Sequence, residues 1–172
     1  LVYLHGDGVQ LIDQGTAATV SDDDALDFDT GNLTVSIATG GTTTEDVLSI
    51  RDEGPGPGLI GFDGANVTYG GVLIGTAVGG SVGADLVVTF NAKASPVAVT
   101  ARVRNISSEN REPTNPATGA RTVRFTVDAG DGVTSLEYDM TLDVKLPNLA
   151  GSIWLSTLDA VVGSGAPGLD NW

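Results

Sequence analysis

The stretch Ser21-Asp-Asp-Asp-Ala-Leu-Asp-Phe-Asp29 leads within a few residues into the strand pattern Leu33-Thr-Val-Ser-Ile37. The first segment holds five carboxylates in nine residues. The second alternates apolar and hydroxyl side chains with the period of a half-buried β-strand. Five like charges so close together repel one another unless water or a cation neutralises them. The two segments together predict a β-protein with a loop that attracts a hard cation.

The rest of the chain repeats the strand signature at short intervals. Glycine contributes 24 of the 172 residues and hydrophobic residues make up 41%, which suits many strands joined by tight turns. The clearest local signal is Gly70-Gly71 between two apolar runs, which predicts a two-residue hairpin turn. A glycine-rich loop is expected at residues 52–64 and a polar loop before residue 121. Strands are predicted at residues 9–12, 33–37, 47–50, 67–69, 72–74, 86–90, 121–127 and 134–144.

One short helix is predicted, starting at Ser95. The Ser95 side chain can cap the first turn, and Pro96 suits the position after the cap. Val99, Val103 and Ile106 keep helical spacing. Many strands and a single helix indicate an all-β fold, a β-sandwich with one short crossing helix.

The domain organisation follows from a change of character near residue 147. Residues 1–146 carry the strand pattern and form one predicted β-sandwich domain. Residues 147–172 hold a lone strand pattern and a Gly/Pro-rich tail, which cannot form a core. We expect this C-terminal arm to be a linker, the start of a following module, or a docking segment. Because the chain opens at Leu1 without an initiator Met, we expect a piece of a longer polypeptide.

The charge distribution excludes several partners. The formal net charge is −14, and residues 1–50 contain nine acidic side chains but no lysine or arginine. Such a surface repels nucleic acid and anionic lipid and attracts hard cations. No apolar run reaches the roughly 20 residues that a membrane helix needs. There is no cysteine, so a secreted domain needs another loop restraint, such as a metal ion. We expect an extracellular protein without nucleic-acid partners or membrane insertion.

The acidic stretch offers candidate metal ligands in pairs. Asp22 and Asp24 would point to one side of an extended segment, and so would Asp27 and Asp29. Calcium takes six to eight oxygen ligands, so paired carboxylates suit Ca²⁺. The EF-hand pattern is excluded because Leu26 stands at the third ligand position. A solvated acidic loop is the alternative interpretation.

Other acidic residues lie beside predicted turns. Asp128 and Asp131 occupy the tip of the last predicted hairpin, where they are either metal ligands or ordinary turn formers. Glu45-Asp46 and Asp52-Glu53 flank one predicted strand, and the same two interpretations apply to them. The sequence leaves both questions open.

Groups for catalysis are few. The chain has no cysteine, one histidine and no Gly-x-Ser-x-Gly or phosphate-binding glycine motif. Paired carboxylates can hydrolyse glycosides. However, three Tyr and two Trp supply few of the aromatic platforms of a sugar cleft. The sequence predicts a protein that is not an enzyme.

Several stretches in collinear order give the chain a family resemblance. It resembles the cadherin-like, Ig-like calcium-binding repeats of giant secreted bacterial surface proteins, including RTX-type adhesins, over roughly residues 9–144. The matching stretches are Asp22-x-Asp24, Gly31-x-Leu33-Thr-Val35, Thr44-Glu-Asp-Val-Leu48, Ile60-Gly-x-Asp-Gly-x-Asn-Val-Thr-Tyr-Gly-Gly71, Leu86-Val-Val-Thr-Phe-Asn-Ala92, Arg104-Asn-Ile106 and Arg121-Thr-Val-Arg-Phe125.

The resemblance implies an extracellular calcium-binding β-sandwich that is strung in tandem to make a stalk or an adhesive surface. It places the calcium role on Asp22, Asp24, Asp27 and Asp131. The family pattern Asp-Gly-Asp-Gly is altered here, since Ala129 holds the first Asp position and Asp128 is shifted one residue earlier. Strand alternation then predicts that Asp128 points to the opposite face.

The predicted function is that of a structural or adhesive module of a large bacterial cell-surface or matrix protein, with neighbouring modules or identical subunits as partners. Two alternatives stay open. In one, the chain is the protomer of an extracellular filament, and residues 147–172 add a strand to a neighbour's sheet edge. In the other, it is a calcium-dependent adhesin domain that binds a glycan or peptide in a pocket lined by Trp154, Tyr69 or Tyr138.

Overall fold

The structure, a computed structural model, describes residues 1–22, 26–132, 134–135 and 137–147. Those residues form a mostly β fold with one short helix. The strands are β1 Val2–Leu4, β2 Gln10–Leu11, β3 Asn32–Thr39, β4 Asp46–Ile50, β5 Ile60–Phe62, β6 Asn66–Tyr69, β7 Val72–Val78, β8 Leu86–Phe90, β9 Ile106–Asn110, β10 Gly119–Asp128 and β11 Tyr138–Lys145, and the helix α1 is Pro96–Arg104.

The strands form two sheets. The large sheet has the order β1-β11-β10-β3-β8-β7-β6-β5, and the small sheet has the order β2-β9-β4. The large sheet is mixed because β1 runs parallel to β11, while all other neighbouring strands in this sheet pair in antiparallel fashion. The two sheets share one hydrophobic core. The prediction of a mostly β fold with one short helix is therefore confirmed.

Strand alternation sorts the side chains of the large sheet between core and solvent. Leu33 and Val35 of β3 are fully buried, as are Val123 of β10 and Leu142 of β11. The intervening positions, such as Thr34, lie on the other face and are partly exposed. One face of the large sheet therefore meets the core and the other is polar.

Two local predictions are confirmed in detail. Gly70 and Gly71 have φ values of 59° and 79° and join β6 to β7, with Tyr69 opposite Val72. Positive φ at both turn positions is the geometry that favours glycine in a two-residue hairpin. At the helix, the Ser95 side chain accepts a hydrogen bond from the Ala98 N–H, so the cap is also confirmed.

Other secondary-structure predictions need correction. The predicted loop at residues 52–64 contains β5, which is held by β6 in a hairpin. Ile106 starts β9, so it does not continue the helix. The strand β1 was not predicted, and the last strand begins at Tyr138, four residues later than predicted. At β5, Ile106 and β1, pairing with a neighbouring strand decides the conformation over local propensity.

A buried polar network joins the two sheets. The Asp46 carboxylate accepts hydrogen bonds from the Thr42 N–H at 2.8 Å and from Arg121 Nε at 3.1 Å. It also accepts one from Asn110 Nδ2 at 2.9 Å, and the Asn110 N–H donates to the Tyr3 hydroxyl at 3.2 Å. Because Asp46 and Arg121 are both buried, the network fixes the small sheet against β10 and β1.

Helix α1 buries a charge that has no partner among the described residues. Arg102 lies beside Ala98 and Val99 on the buried face of the helix and is 0% exposed. Its Nε, Nη1 and Nη2 atoms have no hydrogen-bond partner among the described residues. Burial lowers the pKa of the Arg102 guanidinium to about 9, because the charged form loses its hydration. The helix therefore carries an uncompensated desolvation cost.

The described part of the chain ends at Pro147, so the predicted arm of residues 147–172 lies almost entirely outside it. Its docking role stays a prediction. In the same described part, no helix has both the length and the apolar character needed to cross a membrane.

Candidate functional site

The acidic stretch is anchored in the core by one aromatic residue. Phe28 is only 2% exposed, and its ring meets that of Phe90 edge to face at a centroid distance of 6.1 Å. The Phe28 N–H donates to the Ala94 carbonyl at 2.9 Å. Because Phe28 points inward, its neighbours remain at the surface, where Asp27 is partly exposed and Asp29 is exposed. Burial of Phe28 thus fixes where these two carboxylates lie.

The segment around Asp27 is a turn, which corrects the expected extended conformation. The Asp29 N–H donates to Asp27 Oδ1 at 3.1 Å, an arrangement typical of aspartate in turns. The Gly31 N–H then donates to the Phe28 carbonyl at 3.0 Å. Strand alternation therefore does not set the directions of the Asp27 and Asp29 side chains, and their role as metal ligands stays a prediction.

The acidic turn packs against the tip of the β10–β11 hairpin. Gly130 lies so close to the Asp29 carbonyl that a Cβ atom at this position would clash with it, and Gly31 is equally close to the Asp128 carbonyl. The Thr30 hydroxyl donates to the Gly130 carbonyl at 3.4 Å. Two glycines thus allow two acidic loops to meet, backbone to backbone.

At the hairpin tip, Asp128 acts as a turn former. Its Oδ1 accepts a hydrogen bond from the Gly130 N–H at 2.8 Å, and its Oδ2 accepts one from the Thr134 hydroxyl at 3.4 Å. Asp131, three residues after Asp128 on the same tip, is exposed. The tip therefore brings Asp128 and Asp131 to the end of the domain that also holds Asp29.

The structure places five of the six predicted metal ligands in neighbouring loops but does not bring them together into one site. Asp22, Asp27, Asp29, Asp128 and Asp131 belong to two adjoining loops, whereas Asp24 lies outside the described residues. Among the residues that the structure describes, no three His, Asp or Glu side chains lie close enough together to hold a metal ion. The oxygen donors suit a hard cation, but the described side chains do not form a closed cage.

The acidic residues that flank β4 have a different role. Besides Asp46 in the buried network, Glu45 accepts hydrogen bonds from Asn110 Nδ2 and the Ala117 N–H. Asp52 accepts from the N–H groups of Gly54 and Phe62, and Glu53 accepts from Arg51, Ile60 and Asn105. These interactions favour the structural interpretation for all four carboxylates.

A groove of about 750 Å³ lies beside the acidic loops. Its floor is the end of the β10–β11 hairpin, and its opposite wall is the segment of residues 13–22 that follows β2. The apolar residues that line it include Val20, Phe125, Val127, Tyr138 and Met140. The volume is in the range of small-ligand sites, so the core-facing side of the large sheet is incompletely covered here by the described residues.

The wall of the groove is tied to helix α1. The Thr100 hydroxyl accepts a hydrogen bond from the Val20 N–H at 2.9 Å and donates to the Val20 carbonyl at 3.1 Å. Arg104 Nε donates to the Ala18 carbonyl at 2.7 Å. These contacts place residues 13–22 opposite the hairpin. No strong sequence signal indicates the role of this segment, because its small residues resemble a simple connection.

The aromatic residues expected in a ligand pocket separate into three cases. Tyr138 lines the groove and is 64% exposed. Tyr69 lies on β6, four strands away from β10 in the large sheet, and does not line the groove. Trp154 lies outside the described residues. Asp13, Asp22 and Asp131 also line the groove, and no lysine or arginine does so among the described residues.

Comparisons of the chain with protein-family models, with curated proteins and with solved structures find no match.

Proposed function

We propose that this chain is a non-enzymatic structural module of a large extracellular bacterial protein, with an Ig-like or cadherin-like β-sandwich that calcium stabilises. One observation carries the proposal: the acidic turn that contains Asp29 meets the hairpin tip that contains Asp128 and Asp131 at one end of the domain. The resemblance to calcium-binding repeats agrees with this placement.

Repulsion among the carboxylates at this end of the domain is the physical reason to expect a bound cation. Among the described residues, no ion pair joins Asp27, Asp29 or Asp128 to a lysine or arginine. In the sequence, the neighbouring residues Asp23 and Asp24 are acidic as well. A divalent cation that binds this region only in the folded chain stabilises the fold by about 2.7 kcal/mol at 100 times its Kd. Millimolar extracellular calcium is sufficient even for a weak site.

The position of the acidic end suits a module in a tandem array. β10 ends at Asp128, and its antiparallel neighbour β11 ends at Lys145, so the last described strand ends at the opposite end of the sheet from the acidic loops. In a tandem chain, the acidic end would therefore face the preceding module. Calcium there would stiffen the connection between two modules as well as each module.

Thermal unfolding with calcium and with chelator tests the proposal. We expect 5 mM CaCl₂ to raise the Tm by roughly 5–10 °C relative to EDTA, from a few kcal/mol of linkage and the usual slope for a domain of this size. Asp22→Asn with Asp24→Asn should remove most of this rise. The matched control, Asp7→Asn with Asp85→Asn, removes two charges from the other end and should keep it. Equal Tm values in CaCl₂ and EDTA would refute the proposal.

One observation favours a second candidate function. Tyr138, one of the residues expected in a ligand pocket, lines a groove beside Asp22 and Asp131. The chain is then a calcium-dependent adhesin domain that binds a glycan or peptide. Glycan and peptide arrays probed with wild type and with Tyr138→Ala test this function. Hits that require both calcium and Tyr138 would support it, and an array without such hits would exclude it.

A further inference from the structure

Among the described strands, the edge of the large sheet is open beside the groove. β1 pairs with only the last part of β11, from Val2 opposite Asp143 to Leu4 opposite Lys145. Leu1 extends this contact, because its N-terminal amine donates to the Thr141 carbonyl at 2.9 Å and its carbonyl accepts from the Asp143 N–H at 2.9 Å. No described strand pairs with the same edge of β11 at residues 138–140.

The face above this open edge is apolar. Met140 and Tyr138 lie on the same face of β11 as Leu142 and Val144, which are buried in the core. Met140 is only half-buried, and Tyr138 is largely exposed. The unpaired edge and the groove therefore adjoin, and an added strand at the edge would direct alternate side chains into the groove.

We propose that an extended segment occupies this position, running parallel to β11 in line with β1 and closing the groove. The inference rests on the tandem arrangement proposed above, in which the segment is the connection from the preceding module. Its partner surface is the edge of β11 at residues 138–140 together with the groove between the hairpin and residues 13–22.

The register of β1 defines the chemistry of the segment. Tyr3, which is buried, lies opposite Val144, and Leu1 therefore lies beside Leu142. Continuing this register places the second residue before Leu1 beside Met140 and the fourth beside Tyr138. These two positions face the groove and require apolar side chains, while the first and third face solvent. Since Asp13, Asp22 and Asp131 line the groove, acidic side chains are disfavoured throughout.

Two four-residue extensions of the full chain test this inference. Ile-Thr-Ile-Thr placed before Leu1 puts both isoleucines at the groove-facing positions. Thr-Ile-Thr-Ile has the same composition but is shifted by one residue, which turns both isoleucines to solvent. We expect the first extension to raise the Tm by about 4 °C or more relative to the second. The amide protons of Asp139 and Thr141, on the open edge by alternation with Asp143, should exchange more slowly with the first alone.

The outcomes separate this inference from the calcium proposal. Equal Tm values and equal amide exchange for the two extensions, or a higher Tm for Thr-Ile-Thr-Ile, would overturn the strand addition. The chain without any extension, compared in CaCl₂ and EDTA, reports on calcium alone. Measuring all three chains in both buffers therefore shows which of the two proposals fails.

Discussion

The guanidinium of Arg102 has no partner in the part of the chain that the structure describes, which leads to a specific prediction: Arg102→Met should stabilise the protein. Methionine is flexible enough to fill the space of the arginine stem, and it carries no charge. Arg102 is fully buried and its nitrogen atoms have no hydrogen-bond partner among the described residues. Removing such a charge eliminates a desolvation cost that nothing in its described surroundings offsets.

The magnitude follows from the pKa of the group. Burial lowers the pKa of Arg102 to about 9, a loss of more than three powers of ten in proton affinity. At about 1.4 kcal/mol for each tenfold change, the charged form is destabilised by about 5 kcal/mol. Relaxation of the surroundings reduces this value, so we expect a gain of about 2–5 kcal/mol in the free energy of unfolding. That gain corresponds to a rise in Tm of roughly 5–15 °C.

Urea unfolding at pH 7, followed by circular dichroism, measures the gain. Arg104→Met is the matched control, because Arg104 lies on the same helix but is exposed, and it should not raise stability. The pH dependence gives a second readout. The pKa of Arg102 is lower in the folded than in the unfolded wild type. The deficit in folding stability that its buried charge causes is therefore complete at pH 7. The deficit shrinks as the pH rises above 9, and the advantage of Arg102→Met should shrink with it.

An unchanged or lower free energy of unfolding for Arg102→Met would refute this reasoning. It would mean that the guanidinium has a partner in solution and that the buried face of α1 is arranged differently. Arg102→Lys is a second test, since lysine keeps the charge but not the planar group of donors, and a clear loss of stability in this variant would indicate that those donors have a partner. Lysine should be no more stable than arginine if the charge alone causes the deficit.

Three further predictions concern packing and the meeting of the loops. Asp46→Asn leaves Arg121 buried without its counter-charge and should lower the free energy of unfolding by about 3–5 kcal/mol in urea titrations; a change below 1 kcal/mol would contradict the buried network. Phe28→Ala removes the anchor of the acidic stretch and should lower the free energy of unfolding by about 3–5 kcal/mol, again measured by urea titration. An unchanged free energy of unfolding would show that other contacts hold the turn. Gly130→Ala forces a methyl group against the Asp29 carbonyl and should lower both the Tm and its response to calcium in calorimetry, whereas an unchanged calcium response would separate the ion from this loop contact.

Local signals predicted the elements whose residues act through their nearest neighbours in the chain. The Gly70-Gly71 turn and the Ser95 cap each depend on a few adjacent residues, so the pattern in the sequence is sufficient. Leu33 and Val35 were recognisable for a similar reason, because alternation is visible within one strand. These features required no knowledge of which strands are neighbours.

The missed elements depend on distant partners. β9 has the sequence Ile-Ser-Ser-Glu-Asn, which is polar, yet it is the central strand of the small sheet because β2 and β4 pair with both of its edges. Its Asn110 is satisfied by Asp46, 64 residues away in the sequence. β1 is three residues long and forms only through parallel pairing with the last strand. Such long-range pairing leaves no local periodicity to detect.

The sequence indicated which loops form the candidate site, but it did not indicate their conformation. Counting charges identified the acidic stretch and the hairpin tip, and the structure shows that residues 29–31 and 128–130 meet. The expected extended conformation at Asp27 and Asp29 was wrong, because the buried ring of Phe28 and the hydrogen bond from the Asp29 N–H to Asp27 produce a turn. A strand pattern cannot indicate where a single aromatic residue will bend the chain.

The parallel pairing of β1 with β11 has a mechanical consequence. When the chain is pulled from Leu1 and from Lys145, the two strands are drawn past each other along their length. The hydrogen bonds between them, including those from the His5 N–H to the Lys145 carbonyl and from the Asp143 N–H to the Leu1 carbonyl, then share the load. Strands that are peeled apart from one end break such bonds one after another. Tension along the chain therefore loads the β1–β11 pair in shear, the direction in which a sheet resists rupture best.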